Sequence, residues 1–291
     1  MPIELTGYRG WQGKKLRSSW RSVWAIVRTG VLMILRRWVF WLLIGLGLLN
    51  FIFNFAFIYL KATLTVQNAV MAQFLDNYQV TGTGEAYADF MQGQATITTL
   101  LLAFAGASLI GADYRQGGMI YYLSRRIERR HYIVGKLLTV ATVVSLITTV
   151  PALLLYLQYG VLTNSLAYFL DNPRILAGIL GYGAVLAIVQ SLMLFAVAAW
   201  VHRAVPLVMC WLGIFVLLEA LGAAAREIND NRTWRLLGIW RDMHRIGEWC
   251  FGSLRPDRTP TGPQCAAVLA GVSIFCLIVI IRRVRAVEIV R

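Results

Sequence analysis

The chain has 291 residues, 58% of them hydrophobic and only 14% charged, where a soluble globule carries roughly a quarter charged; its mean hydropathy is +0.62. That excludes a soluble domain and predicts an all-α integral membrane protein whose apolar runs cross the bilayer as helices. The net charge of +14 does not point to nucleic acid, because the Lys and Arg side chains flank apolar runs instead of gathering on one soluble domain, which is the pattern that controls topology.

Residues 1–38 carry eight basic residues and read as a cytoplasmic N-terminus. They lack the apolar core and small-residue cleavage site of a signal peptide, so the first span is expected to stay in the mature protein. From Leu16, the residues Trp20, Val23, Trp24, Val27, Val31 and Ile34 recur at three and four positions, with Lys14, Arg17, Arg21 and Arg28 on a neighbouring stripe. This predicts an interfacial helix lying on the cytoplasmic leaflet.

Six spans are predicted between residues 39 and 281. The first, 39–60, has 22 residues without a charge, enough for the roughly 20 that a bilayer needs. Its Asn50 and Asn54, four apart on one face, suit hydrogen-bonding glue between helices. The stretch 61–94 has one basic residue and three acids and belongs outside. The second span, 95–112, carries the small residues Ala103, Ala105, Gly106 and Ala107, a close-packing signal. The loop 113–136 has six basic residues and belongs in the cytoplasm. The third span, 137–157, contains Pro151; the segment 158–174 lies outside; the fourth span is 175–200, followed by a short cytoplasmic turn.

The fifth span, 204–225, contains Glu219, about 15 residues in and roughly 22 Å from its start. An acid at that depth is a candidate for a substrate path; as a helix-end charge it would instead pair with Arg226. Residues 226–264 then lie outside despite seven arginines against five acids, since the charge rule weakens in long loops. Within them Leu236, Trp240 and Met243 fall at helical spacing, with Trp234 and Trp249 nearby, which predicts a helix at the outer interface or dipping into it. The sixth span, 265–281, ends at Arg282, and the tail 282–291 is cytoplasmic, so both termini are inside. Cys250 and Cys265 both fall on the exterior, where a disulfide between them can persist, whereas Cys210 and Cys276 lie within spans.

Catalytic chemistry is missing from the pattern. His131, His202 and His244 are far apart and form no zinc-binding pair, so no metal site is expected. No nucleophile elbow and no phosphate-binding P-loop occurs, and Glu219 alone cannot supply an acid, a base and a nucleophile, which argues against an intramembrane enzyme.

The loop 113–136 holds more than topology requires. Met119, Ile120, Tyr121, Tyr122 and Leu123 gather where water would otherwise cover them, and exposed aromatic and apolar residues on a loop suggest a docking surface. The block LIGADYRQGGMIYYLSRRIERRHYIVGKLL, residues 109–138, resembles the signature region of ABC-2 type transporter permeases at Asp113, Arg115, Gly118, Leu123, Ser124, Arg125, Tyr132, Gly135 and Lys136. It departs at Arg126, where such permeases commonly have proline. The resemblance implies a permease subunit of the cytoplasmic (inner) membrane, an exporter, working beside a second permease copy, identical or homologous, and driven by a separate ATPase chain that holds ATP and Mg; this chain itself would bind no cofactor. It further implies that a cytoplasmic coupling helix docks on the ATPase through Asp113, Arg115, Gly117, Met119, Tyr121, Tyr122, Leu123 and Arg125. The alternative is a non-transporting scaffold or sensory membrane subunit of a similar complex.

Overall fold

A computed structural model describes residues 20–64, 82–106, 109, 111, 129–162, 166–201, 203–254 and 260–283. These form α1 (Trp20–Leu35), α2 (Trp38–Leu64), α3 (Gly84–Gly106), α4 (Arg129–Ile147), α5 (Thr149–Leu162), α6 (Leu166–Asp171), α7 (Pro173–Trp200), α8 (Ala204–Asn229), a 3-10 turn (Arg232–Leu237), α9 (Ile239–Phe251) and α10 (Gly262–Arg283). Among the described residues there is no strand.

Five helical segments are long and apolar enough to cross a membrane: Trp38–Leu60, Arg130–Leu162, Pro173–Trp200, Ala204–Asn229 and Gly262–Arg283. They take in five of the six expected runs. The run 95–112 behaves differently. Its helix, α3, begins at Gly84 and brings Glu85, Asp89, Gln92 and Gln94 into the same cylinder, which makes it too polar to stand among the five. The third run is part of Arg130–Leu162, broken at Thr148 between α4 and α5. Pro151 accounts for the break: it has no N–H to offer the carbonyl of Ile147, and its ring crowds that carbonyl, so α4 stops there.

α7 is the axis of the bundle and packs against α3, α4, α5, α8, α9 and α10. In its most apolar window 67% of the residues are buried, against 17% in those of α2 and α8. Hydrophobicity does not choose the inward face of a membrane helix, since lipid is as apolar as Leu; close approach and polar links do. Both are present. Gln190 Nε2 donates to Thr99 Oγ1 at 3.1 Å, Trp211 Nε1 donates to the Thr99 carbonyl at 2.9 Å, and Gln94 Nε2 donates to the Gly47 carbonyl at 2.9 Å. A Cβ on Gly106 would stand 2.7 Å from Leu194 Cδ1, so the end of α3 meets α7 only because that residue is glycine. Asn54 bonds Asn50 within α2, Nδ2 to the Asn50 carbonyl at 2.9 Å; the link from α2 to α5 is made by Gln158 Nε2, which donates to the Phe55 carbonyl at 2.9 Å.

The expected stripe of α1 divides between two faces. Val23, Val27 and Ile34 are buried against α4, while Trp20 and Trp24 point away and are exposed. The described part of 226–264 is also helical where a loop was expected. α8 runs on to Asn229 and ends at Asp230 in the left-handed region, φ 47°. Leu236 belongs to the 3-10 turn and not to the expected helix. That helix, α9, begins at Ile239 and buries Ile239, Met243, Ile246 and Phe251 against α3, α7, α8 and α10. It is capped by Gly252 at φ 71°.

Candidate functional site

α9 sits on the bundle through a set of polar contacts, which is unusual for an apolar protein. Its apolar face repeats at positions 239, 243 and 246, and position 242 falls on that same face. There the sequence has an acid. Asp242 is 0% exposed, and neither carboxylate oxygen has a hydrogen-bond partner. The Cys265 thiol of α10 faces it without making a hydrogen bond to either oxygen. Burial pushes the Asp242 carboxyl up to about 7; the facing thiol and Arg241 oppose that rise, and Glu219 adds to it.

Around this carboxyl the seat is pinned on three sides. Arg241 pairs with Glu219 of α8. His244 Nε2 meets Asp89 Oδ1 of α3 at 2.9 Å. Tyr182 of α7 donates its hydroxyl to Gln92 Oε1 of α3 at 2.5 Å, and Gln92 Nε2 donates to the Trp240 carbonyl at 3.4 Å. Two glycines allow the approach: a Cβ on Gly247 would lie 2.8 Å from the Tyr182 ring, and one on Gly238 would collide with the Glu219 carboxylate. Glu219 is therefore tied to Arg241 and not to Arg226, the partner expected for a helix-end charge. Glu219 also borders an open groove of about 520 Å³ between α3 and α8, lined by Thr96, Thr99, Phe215 and Trp240 among others.

The Cys250–Cys265 bridge that an exterior location would permit is not formed; both thiols are free. Geometry gives the reason. Cys265 faces Asp242, and Cys250 lies eight residues farther along α9, about 12 Å of helical rise, where its sulfur stands 3.8 Å from the Cβ position of Gly181. A disulfide needs Cα atoms within about 7 Å.

At the other end of α7 lies the described part of the motif at 109–138. Tyr132 is 1% exposed and Lys136 4% exposed. Lys136 Nζ donates to the Leu109 carbonyl at 2.5 Å and lies 5.8 Å from the centre of the Tyr132 ring, which stands edge-on to Phe195 of α7 at 6.3 Å. Gly135 touches α1: a Cβ there would be 2.9 Å from Ile26 Cγ2, and one on Gly30 would be 2.6 Å from Thr139 Cγ2. Tyr132, Gly135 and Lys136 thus clamp α4 to α7, to α1 and to Leu109, three residues past the last of α3. Asp113, Arg115, Gly117, Met119, Tyr121, Tyr122, Leu123 and Arg125 lie outside the described residues.

Among the described residues no three His, Cys, Asp or Glu side chains converge as metal ligands would. No family model matches the chain, and no curated protein matches it either.

Proposed function

We propose that the chain is the permease subunit of an ATP-driven exporter, with α3 as a sixth membrane-crossing helix and both termini in the cytoplasm of a cell whose inner membrane it spans. The motif at 109–138 carries this reading. What supports it is the clamp at the end of that motif: a helix placed before Tyr132 would push on a segment tied at once to α1, α3 and α7, so force arriving at the loop would reach the whole bundle. α3 suits the role of sixth span because its polar side chains Gln94 and Thr98 are turned into protein, where polar groups in a membrane belong. We place the second permease copy against the α3–α8 groove, with Glu219 beside the substrate path.

The test is assembly with the ATPase. Burial of two tyrosines contributes several kcal/mol to such an interface, and rim arginines give less. The change Tyr121→Ala with Tyr122→Ala is expected to leave membrane insertion intact, and to weaken co-purification of the ATPase or release its hydrolysis from control by the permease. Arg129→Ala with Arg130→Ala serves as the comparison and is expected to do less. If the tyrosine variant assembles and couples like the parent, the loop is a basic topology anchor and the reading falls.

A further inference from the structure

The basic character of 226–264 has a structural counterpart that export does not require. Arg226 lies one turn before the end of α8, Arg232 and Arg235 on the 3-10 turn, and Arg241 and Arg245 on α9. The turn folds back onto α8 at Gly222, where a Cβ would come within 3.1 Å of the Trp234 carbonyl. Arg226, Arg232, Arg241 and Arg245 all stand close enough to Arg235 to act on its charge. Two are neutralised: Arg241 pairs with Glu219, and Arg245 Nη1 meets Glu248 Oε2 at 2.8 Å. Arg226, Arg232 and Arg235 form no ion pair among the described residues, although Glu227 and Asp230 stand close in sequence.

The Arg235 Nε is buried and has no acceptor. Burial, and then the charges of Arg226, Arg241, Arg232 and Arg245, lower its hold on its proton. A donor sealed without an acceptor is costly, and like charges gathered together repel. An anion set among the accessible guanidinium nitrogens relieves the repulsion. The level of the cluster narrows the choice of anion. Trp234, between Arg232 and Arg235 on the 3-10 turn, is half exposed, as tryptophans are at the headgroup layer of a bilayer. The guanidinium fork matches phosphate oxygens in pairs.

We propose that Arg226, Arg232 and Arg235 form a binding site for a phosphate group at the membrane surface, with Arg241 and Arg245 fixed behind them by their carboxylate partners. The phosphodiester of an anionic phospholipid and a free phosphate in solution share this chemistry. The site does not depend on the chain being a transporter.

Purified full-length protein answers both questions. In the first arm, detergent-solubilised protein is exchanged against phosphatidylglycerol or phosphatidylcholine, and retained lipid is counted by native mass spectrometry. In the second, thermal unfolding is followed with and without inorganic pyrophosphate. The parent is compared with the variant Arg226→Gln, Arg232→Gln, Arg235→Gln, and with a control, Arg21→Gln and Arg28→Gln on α1. Loss of two or three charge-assisted hydrogen bonds is expected to weaken binding about tenfold or more. Retention of phosphatidylglycerol by parent and control but not by the triple variant identifies a lipid site. A rise in unfolding temperature with pyrophosphate in parent and control alone, without lipid preference, identifies a site for free phosphate. Arg235→Lys, which keeps the charge and loses the fork, is expected to bind more weakly than the parent. Should the triple variant fail to fold, Arg226→Gln alone decides, since that side chain is exposed on a complete helix. Equal retention and equal response in parent and variant, or equal loss in variant and control, overturns the proposal.

Discussion

Lys136 and Asp242 are both nearly sealed from solvent, at 4% and 0% exposure, yet one has an acceptor and the other has no donor. Tyr182, beneath α9, and Phe195, against Tyr132, are thirteen residues apart on α7, about 20 Å of rise, so the two sites occupy opposite ends of one rigid helix. At the Lys136 end the charge meets a carbonyl and an aromatic ring, and two glycines draw α1 onto α4. At the Asp242 end Glu219 pairs with Arg241 and His244 with Asp89, but Glu219 Oε2 is left without a partner and the carboxyl at their centre has none on either oxygen. A satisfied buried charge fixes geometry; an unsatisfied one makes geometry depend on its protonation. The Lys136 end is therefore a joint that holds, and the α9 end a seat whose strength varies with pH.

The largest expected effect tests that difference directly. The Asp242 carboxyl titrates near 7 when α9 is seated and near its ordinary 3.8 when solvated. Its folded value is raised, so the seated form keeps a proton that the lifted form has lost. Seating is strongest below the ordinary value, weakens by about 1.4 kcal/mol per pH unit as pH rises through that window, and stays weakened above it, roughly 4 kcal/mol in all. Hydrogen exchange of the α9 amides should accelerate from about pH 5 to about pH 7. In Asp242→Asn the slope should flatten, because no proton is left to lose. A parent whose α9 exchange, corrected for intrinsic rates, ignores pH would place Asp242 in contact with water.

Next in size is the opposite end. Lys136→Met keeps the length and apolar stem of the side chain and removes its donor to Leu109. Losing a charged hydrogen bond at a buried carbonyl costs about 1.5–3 kcal/mol, read as a lower unfolding temperature that does not change between about pH 5 and pH 8. Gly135→Ala follows at about 1–2 kcal/mol, since its methyl would meet Ile26 and neither backbone can retreat far. The sharper readout is α1 itself: in Gly135→Ala its amides should exchange faster, while those of α9 stay as in the parent.

The spans were legible because an apolar run of bilayer length has few other uses, and five of the six appear as helices apolar enough to cross. α3 was legible only in its second half. Its first half carries Asp89, Gln92 and Gln94, polar residues that read as loop when judged by hydropathy and become intelligible only once α2, α7 and α9 are there to receive them. The Tyr132, Gly135 and Lys136 positions were singled out by motif, but their packing against Phe195, Ile26 and Leu109 depends on partners distant in sequence. Asp242 carries no motif, yet its position holds a signal: it sits three residues after Ile239 and four before Ile246, on the face an amphipathic helix buries. Glu219 stands out as an acid deep in an apolar run, but its partner Arg241 lies across a chain reversal at Asp230 that no local pattern announces.

The smallest expected effect concerns the cysteines. Cys250 and Cys265 are neighbours along the chain around the end of α9, and thiols so placed, if they face the exterior as the charge pattern predicts, invite a bridge. Crosslinking them would require either α9 to slide by about two turns or Cys265 to leave Asp242, and either movement would undo the pairs on Glu219 and Asp89. Reductant is therefore expected to leave the unfolding temperature of the purified protein unchanged, and Cys250→Ala should stay within about 0.5 kcal/mol of the parent, since its sulfur meets Gly181 only at ordinary contact distance. Cys265→Ala is a different case because the thiol faces the Asp242 carboxyl and opposes the rise in its titration point. Removing it should move the pH midpoint of α9 exchange upward without creating any sensitivity to reductant. If reductant instead lowers the unfolding temperature of the parent and has no effect on Cys250→Ala, the two thiols are bridged in the membrane, and the unpartnered carboxyl at 242 must have found another neighbour.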